Sequence, residues 1–263
     1  MTQLLPFTQV DAFADAPFTG NPAAVMPLEA WLPDAVLQGI AAENNLAETA
    51  FTVKLPDGAG ADYELRWFTP AVEIALCGHA TLASGHVLIG ERDSVAFRTR
   101  QAGDLIVARE GDGLSLRLPD WAATPRSLPE FAAAMGGDVV ETLWRDGGYA
   151  VFVYPNEAAI RTLKPDFFAL KAMGNILLIA TAPGEAADVV SRGFLPGGGV
   201  EEDPVTGSAH CVIAGYWSQR LGRDSFSAYQ ASARGGYLGV RVGGGYVTLS
   251  GTCRTVIRGE FLL

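Results

Sequence analysis

The chain has 263 residues, 49% hydrophobic and 18% charged, which is ample material for a core and gives no compositional case for disorder. The length fits about two domains. A formal net charge of −10 argues against nucleic acid and anionic membranes as partners, since both need basic patches. Cys77, Cys211 and Cys253 are an odd number without scaffold spacing, so a reducing, cytoplasmic setting is expected. No charged-then-apolar leader opens the chain and no apolar run reaches 18 residues, so neither a signal peptide nor a membrane span is expected.

In chain order, residues 4–13 alternate as a strand. A Pro-, Gly- and Asn-rich loop over 16–22 follows, and then a strand at 23–26. Pro33 and Asp34 open a helix through about Glu43, with Val36, Leu37, Ile40 and Ala41 among its apolar positions. Glu48 falls where this helix gives way to a strand running to Val53, a position where catalytic groups are often found. A turn at Asp57-Gly58 precedes a strand over 63–68, and a helix is expected over Thr81–Ile89. Short strands at 94–98, 104–110 and 115–119 read as a meander. Pro119, Pro125 and Pro129 mark a linker, which sets an N-terminal domain at 1–120 and a C-terminal domain at 121–263. The second half offers a helix at 129–135 and strands at 141–144 and 149–154. Helices at 158–163 and 166–173 and strands at 175–181 and 188–194 come next. A helix then runs to about Leu221, and strands at 226–230, 237–242, 246–250 and 253–261 close the chain. The last of these, 253–263, is also a candidate to complete the N-terminal domain.

The two halves share a signal. Residues 73–80 and 202–209 both fit E-x-x-x-x-G-x-A, and both run into an apolar helix. Arg66-Trp67-Phe68-Thr69-Pro70 precedes the first copy and Arg192-Gly193-Phe194-Leu195-Pro196 the second. A two-copy repeat of this length predicts two similar domains and not a solenoid. Each is expected to be α+β, a curved and mainly antiparallel sheet wrapped around a helix. A helix start with a Gly offers unpaired backbone N–H groups to a small anion, and two such starts could converge on one carboxylate across a cleft. The plainer reading is an ordinary helix capped by Ser208 or Thr206.

Val10-Asp11-Ala12-Phe13, Gly20-Asn21-Pro22-Ala23-Ala24-Val25, Asn45-Leu46-Ala47-Glu48-Thr49, Cys77-Gly78-His79-Ala80 and Asp203-Pro204-Val205-Thr206-Gly207-Ser208 occur in an order that resembles the PhzF-like (phenazine biosynthesis-like) isomerase family. That family is related to diaminopimelate epimerase and proline racemase. The resemblance implies two pseudo-symmetric domains of diaminopimelate epimerase-like fold with the active site in the cleft between them. It also implies a homodimer, no metal or organic cofactor, and a small carboxylic acid as substrate. A characterised member isomerises a dihydro-hydroxyanthranilate at an early step of phenazine synthesis. Carried over residue by residue, Glu48 matches the catalytic acid/base, with His79 and Asp203 as further catalytic candidates. Gly78, His79, Gly207, Ser208 and Asn21 match the substrate-binding set. His86 and His210 are expected to be structural.

Two other readings remain at this point. Diaminopimelate epimerase and proline racemase use two opposed cysteines. Matching the repeated acids sets Ala75 opposite Pro204, and a small shift would set Cys77 there, so a thiol pair is absent either way. An amino-acid racemase or epimerase is therefore the alternative enzyme, and a non-catalytic binder of small carboxylates is the alternative outside enzymes.

Overall fold

A computed structural model of the protein describes residues 3–263. The chain divides into two compact units, Met1–Arg117 with Ser250–Leu263, and Leu118–Leu249. In the first unit the elements are β1 (Leu4–Ala12), β2 (Asn21–Leu28), α1 (Asp34–Asn44), β3 (Glu48–Lys54), β4 (Tyr63–Phe68), β5 (Glu73–Ile74), α2 (Gly78–Leu88), β6 (Ser94–Thr99), β7 (Asp104–Glu110) and β8 (Gly113–Pro119). The second unit holds β9 (Thr124–Pro125), α3 (Pro129–Met135), β10 (Glu141–Arg145), β11 (Tyr149–Val153), α4 (Glu157–Thr162), α5 (Phe167–Ala172), β12 (Leu177–Pro183), β13 (Val189–Leu195), β14 (Val200–Asp203), α6 (Gly207–Leu221), β15 (Ser225–Gln230), β16 (Gly236–Gly243) and β17 (Tyr246–Gly251). Finally, β18 (Cys253–Leu262) pairs antiparallel along β1, from Leu4↔Leu262 to Ala12↔Cys253.

Both units follow one pairing order. In the first, β1/β2 is antiparallel, β2/β3 parallel, β3/β4 antiparallel, β4/β6 parallel and β6/β7 antiparallel. In the second, β10/β11, β11/β12, β12/β13, β13/β15 and β15/β16 run antiparallel, parallel, antiparallel, parallel and antiparallel. Each unit is thus α+β, and each parallel pairing is bridged by a helical crossover. No helix among the described residues is long and apolar enough to cross a membrane.

Composition explains where the helices lie. The first eight residues of α2, Gly78 to Gly85, are all buried. A helix apolar on every side is a core helix. Its polar members satisfy themselves locally, since the hydroxyls of Thr81 and Ser84 donate to the carbonyls of Cys77 and Ala80. Gly85 is required, because a Cβ there would lie 2.4 Å from Cγ1 of Val107 on β7. The helix starts at Gly78, three residues before the sequence-based start at Thr81. α1 instead lays one stripe, Leu37, Ile40 and Ala41, over Leu5, Met26, Leu28, Phe51 and Phe68.

The repeated Arg and Glu turn out to be partners. Arg66 on β4 meets Glu73 on β5 through two bonds of 2.7 and 2.8 Å. Arg192 on β13 meets Glu202 on β14 through bonds of 2.7 and 3.0 Å. Each guanidinium also stacks on the Phe two residues along, 5.0 Å from Phe68 and 4.9 Å from Phe194. Each reaches a helix end as well. Arg66 contacts Asp34 at the start of α1, and Arg192 donates to the Ile160 and Leu163 carbonyls at the end of α4. The acids therefore hold the short strand that leads into each buried helix, and that role was not visible in the spacing.

Arg66 is only 3% exposed, so removing Glu73 leaves a buried charge with Asp34 as its remaining carboxylate partner. Glu73→Ala should cost about 3 kcal/mol in urea denaturation. The double variant Arg66→Ala/Glu73→Ala should cost clearly less than the sum of the single changes. Additive losses would show that the pair carries no coupling.

Candidate functional site

The end of α1 delivers Glu48. Asn45 takes the left-handed conformation (φ 48°) and its N–H closes on the Ala41 carbonyl, stopping the helix. Three residues later Glu48 opens β3, paired with Ala23 of β2. Two residues before Ala23 stands Asn21, fully buried at the start of β2. The turn that places it needs Gly20, with φ 72° and room for no Cβ, since one would lie 2.4 Å from the Ala12 carbonyl oxygen.

His79 is the second residue of α2 and is buried. Its Nε2 lies 2.9 Å from Oε2 of Glu48, whose side chain is 15% exposed. On the far edge of the ring, the Asn21 amide nitrogen is 3.1 Å from Nδ1 and Sγ of Cys77 is 3.5 Å from it. Burial works against a charge on His79, but the Cys77 sulfur and the Glu48 carboxylate outweigh it and hold the imidazole well above its ordinary range. Burial and the nearby Glu48 push the Cys77 thiol up. The structure thus brings Glu48, His79, Asn21 and Cys77 together.

Among the described residues, Glu48, Cys77 and His79 are also a group whose ligating atoms lie within 4.8 Å of one another. The shortest contacts of Glu48 and Cys77 are to opposite ring nitrogens. Imidazole here bridges a carboxylate and a thiol.

In the second unit, Asp203 ends β14 and accepts a hydrogen bond from the Thr206 hydroxyl. Buried Gln230 locks this loop. Its amide donates to the Asp203 carbonyl at 2.7 Å and accepts from the Thr206 N–H at 2.8 Å. Gly193 leaves the space they use, since a Cβ there would lie 2.9 Å from the Thr206 hydroxyl oxygen. Thr206 occupies the N-cap position of α6 without a side-chain cap, so neither it nor Ser208 caps the helix in the ordinary way. Gly207 and Ser208 are its first two residues, and the Ser208 hydroxyl is in hydrogen-bonding contact with the Tyr149 phenol. Sequence reasoning gave no role to Gln230, which opens a further stretch resembling the family over 230–236, or to Tyr149, because neither lies within the repeated motif.

The remaining histidines have other partners. His210 is buried, its Nδ1–H donates to the Thr206 carbonyl at 2.8 Å, and burial pushes its pKa down to about 4. His86 meets the Thr255 hydroxyl at 3.1 Å.

Strand register settles which positions correspond. Arg66 pairs with Phe51, and Arg192 with Ala180. Three residues before each partner stand Glu48 and Leu177, so the second unit has no counterpart of the acid. At the helix starts, Cys77 and Thr206 are both N-caps, and His79 corresponds to Ser208. This agrees with the match of the repeated acids, which sets Ala75 against Pro204, and it removes the small shift that would set Cys77 there. The corresponding residue, Thr206, carries a hydroxyl, so the two helix starts do not form a pair of thiols.

Glu48→Gln should lower the titration of His79 markedly, read from its imidazole proton resonances against pH. Because the folded ring holds its proton above the ordinary 6.5, this contact stabilises the fold fully below pH 6.5 and fades as pH rises through the folded value. The stability gap between wild type and Glu48→Gln should therefore be widest in mildly acidic buffer and shrink in alkaline buffer. An unchanged His79 titration would mean the carboxylate does not govern the ring.

Comparison with known proteins places this geometry. A family model for phenazine biosynthesis-like proteins matches residues 10–259. An uncharacterized isomerase of Pseudomonas aeruginosa is 48% identical over 267 residues, covering 98% of this chain and 99% of the relative. A crystal structure of a PhzF-family phenazine biosynthesis protein from Enterococcus faecalis matches with a TM-score of 0.92 at 44% identity, covering 99% of this chain and 100% of that one. A hydroxyproline epimerase from Agrobacterium vitis shares the fold, with a TM-score of 0.62 at 12% identity over 99% of this chain and 93% of that one. The match along nearly the whole chain shows that this protein belongs to the phenazine biosynthesis-like, or PhzF, family.

Proposed function

We propose that the protein is a cofactor-independent isomerase that moves a proton between two carbons of a small carboxylic acid, with Glu48 as the acid/base. The observation that carries this reading is the buried contact of 2.9 Å between Glu48 and His79. A carboxylate held against an imidazole can take a proton from carbon and keep it close. Glu48 removes the proton, the C–H electron pair moves into the neighbouring unsaturated system, and the protonated Glu48 then delivers a proton, exchangeable with water while it is held, to a different carbon. Nothing is oxidised or reduced, and substrate and product have one composition. His79 orients the carboxylate and provides a second station for the proton.

Asp203 joins this reading as a further acidic group, and the N–H groups at Gly78-His79 and Gly207-Ser208 as holders of the substrate carboxylate. The buried placement of Asn21 behind the ring favours support of His79 over contact with substrate. Dihydro-hydroxyanthranilate-like acids are the substrate class to try first, by analogy with the family. Family resemblance supports a homodimer, and the three free cysteines fit a cytoplasmic location. The racemase alternative is weakened by Thr206 standing where a second thiol would be needed.

The test is turnover on cyclic dihydro-carboxylic acids, followed by the absorbance change as the double bond migrates. Glu48→Gln should lose at least about 100-fold in kcat/KM. Ligand-induced thermal stabilisation should survive in that variant. Full turnover by Glu48→Gln would remove Glu48 from the chemistry.

A further inference from the structure

The edge of His79 that faces away from Glu48 carries its own information. Two donors meet at Nδ1, the Asn21 amide at 3.1 Å and the Cys77 thiol at 3.5 Å. The amide is the stronger of the two. An imidazole nitrogen that accepts a hydrogen bond bears no proton, so a neutral ring in this setting carries its proton on the other nitrogen. That nitrogen is Nε2, the one against Oε2 of Glu48. The backbone of Asn21 is held in place. It is fully buried, paired with Ala12 on β1, and follows a glycine that no other residue could replace without collision.

We propose that Asn21 is a positioning residue that keeps neutral His79 in its Nε2–H tautomer, with the proton on the ring edge nearest Glu48. Asn21 acts through the ring and has no need to touch substrate. The ionisable groups facing the imidazole are Glu48 from β3 and Cys77 at the start of α2. When the ring takes a second proton, at Nδ1, that nitrogen becomes a donor. An amide can then turn and offer its oxygen instead. Asparagine serves both states of the ring, whereas Asp would serve only the protonated edge and Leu neither. The catalytic meaning of this arrangement rests on the proton-transfer reading above, but the tautomer itself does not.

The experiment is a nitrogen–proton correlation spectrum of the histidine rings across pH, and the chain has only three histidines to assign. In the wild type above its titration, His79 should show a pyrrole-type Nε2 and a pyridine-type Nδ1. His210 is an internal control of the opposite kind, since its Nδ1–H donates to Thr206. Asn21→Asp should move the His79 proton to Nδ1 or keep the ring charged to higher pH. Asn21→Leu should leave a mixture of tautomers. A wild-type His79 that carries its neutral proton on Nδ1 overturns the proposal without any variant, and so does a wild-type pattern in both variants. If the tautomer is as proposed but Glu48→Gln still turns over substrate, the functional reading fails and the assignment to Asn21 stands.

Discussion

The clamp between an arginine and a glutamate, made once in each unit, is the constraint on which the local architecture depends. Arg66 and Glu73, and Arg192 and Glu202, tie a sheet strand to the short strand before a buried helix. Bidentate pairs fix orientation as well as distance. Five residues after each acid comes the glycine that starts the helix, so the clamp sets where the first free N–H groups point. A buried pair contributes little net stability against an apolar replacement, but breaking it is expensive, and its best-attested use is to specify one arrangement. Here the arrangement specified is the register of the helix start.

On that shared frame the two units have diverged in chemistry. Where the first has Glu48, Cys77 and His79, the second has Leu177, Thr206 and Ser208. The first unit thus holds a carboxylate and an imidazole in contact, and the second holds hydroxyls and the Asp203 carboxylate around its helix start. Buried support accompanies both, with Asn21 behind His79 and Gln230 behind Thr206. Related frames with a thiol at each helix start would suit removal and return of a proton at one stereocentre. One carboxylate with an imidazole beside it suits carrying a proton from one carbon to another.

Much of this was legible in the sequence because periodicity and punctuation are local. The strand after Asn45, the helix opened by Pro33, and the match of two E-x-x-x-x-G-x-A stretches all follow from short-range rules. The family motifs singled out Glu48, His79 and Asp203, and the structure brings the first two into contact. What spacing could not show was who partners whom across distant segments. The pairing of Arg66 with Glu73 looked like part of a motif, while a separation of 58 positions between Asn21 and His79 hid their contact. The body of α2 was set to begin at Thr81, three residues late, although Gly78 and His79 were already matched to a helix start, and in the structure the helix begins at Gly78 with its first turn buried. β14 and the two-residue β9 were absent from the sequence reading, since such short strands exist only through their partners.

The most direct measurement of the central claim, that Glu48 against His79 is a proton-transferring pair, is hydrogen exchange into a bound acid. Small unsaturated carboxylic acids that stabilise the protein thermally would be incubated with it in deuterium oxide and weighed by mass spectrometry. The account predicts uptake of deuterium at a defined carbon by the wild type, lost in Glu48→Gln while binding persists. Undiminished uptake in Glu48→Gln, or no uptake into any acid that binds, would contradict it.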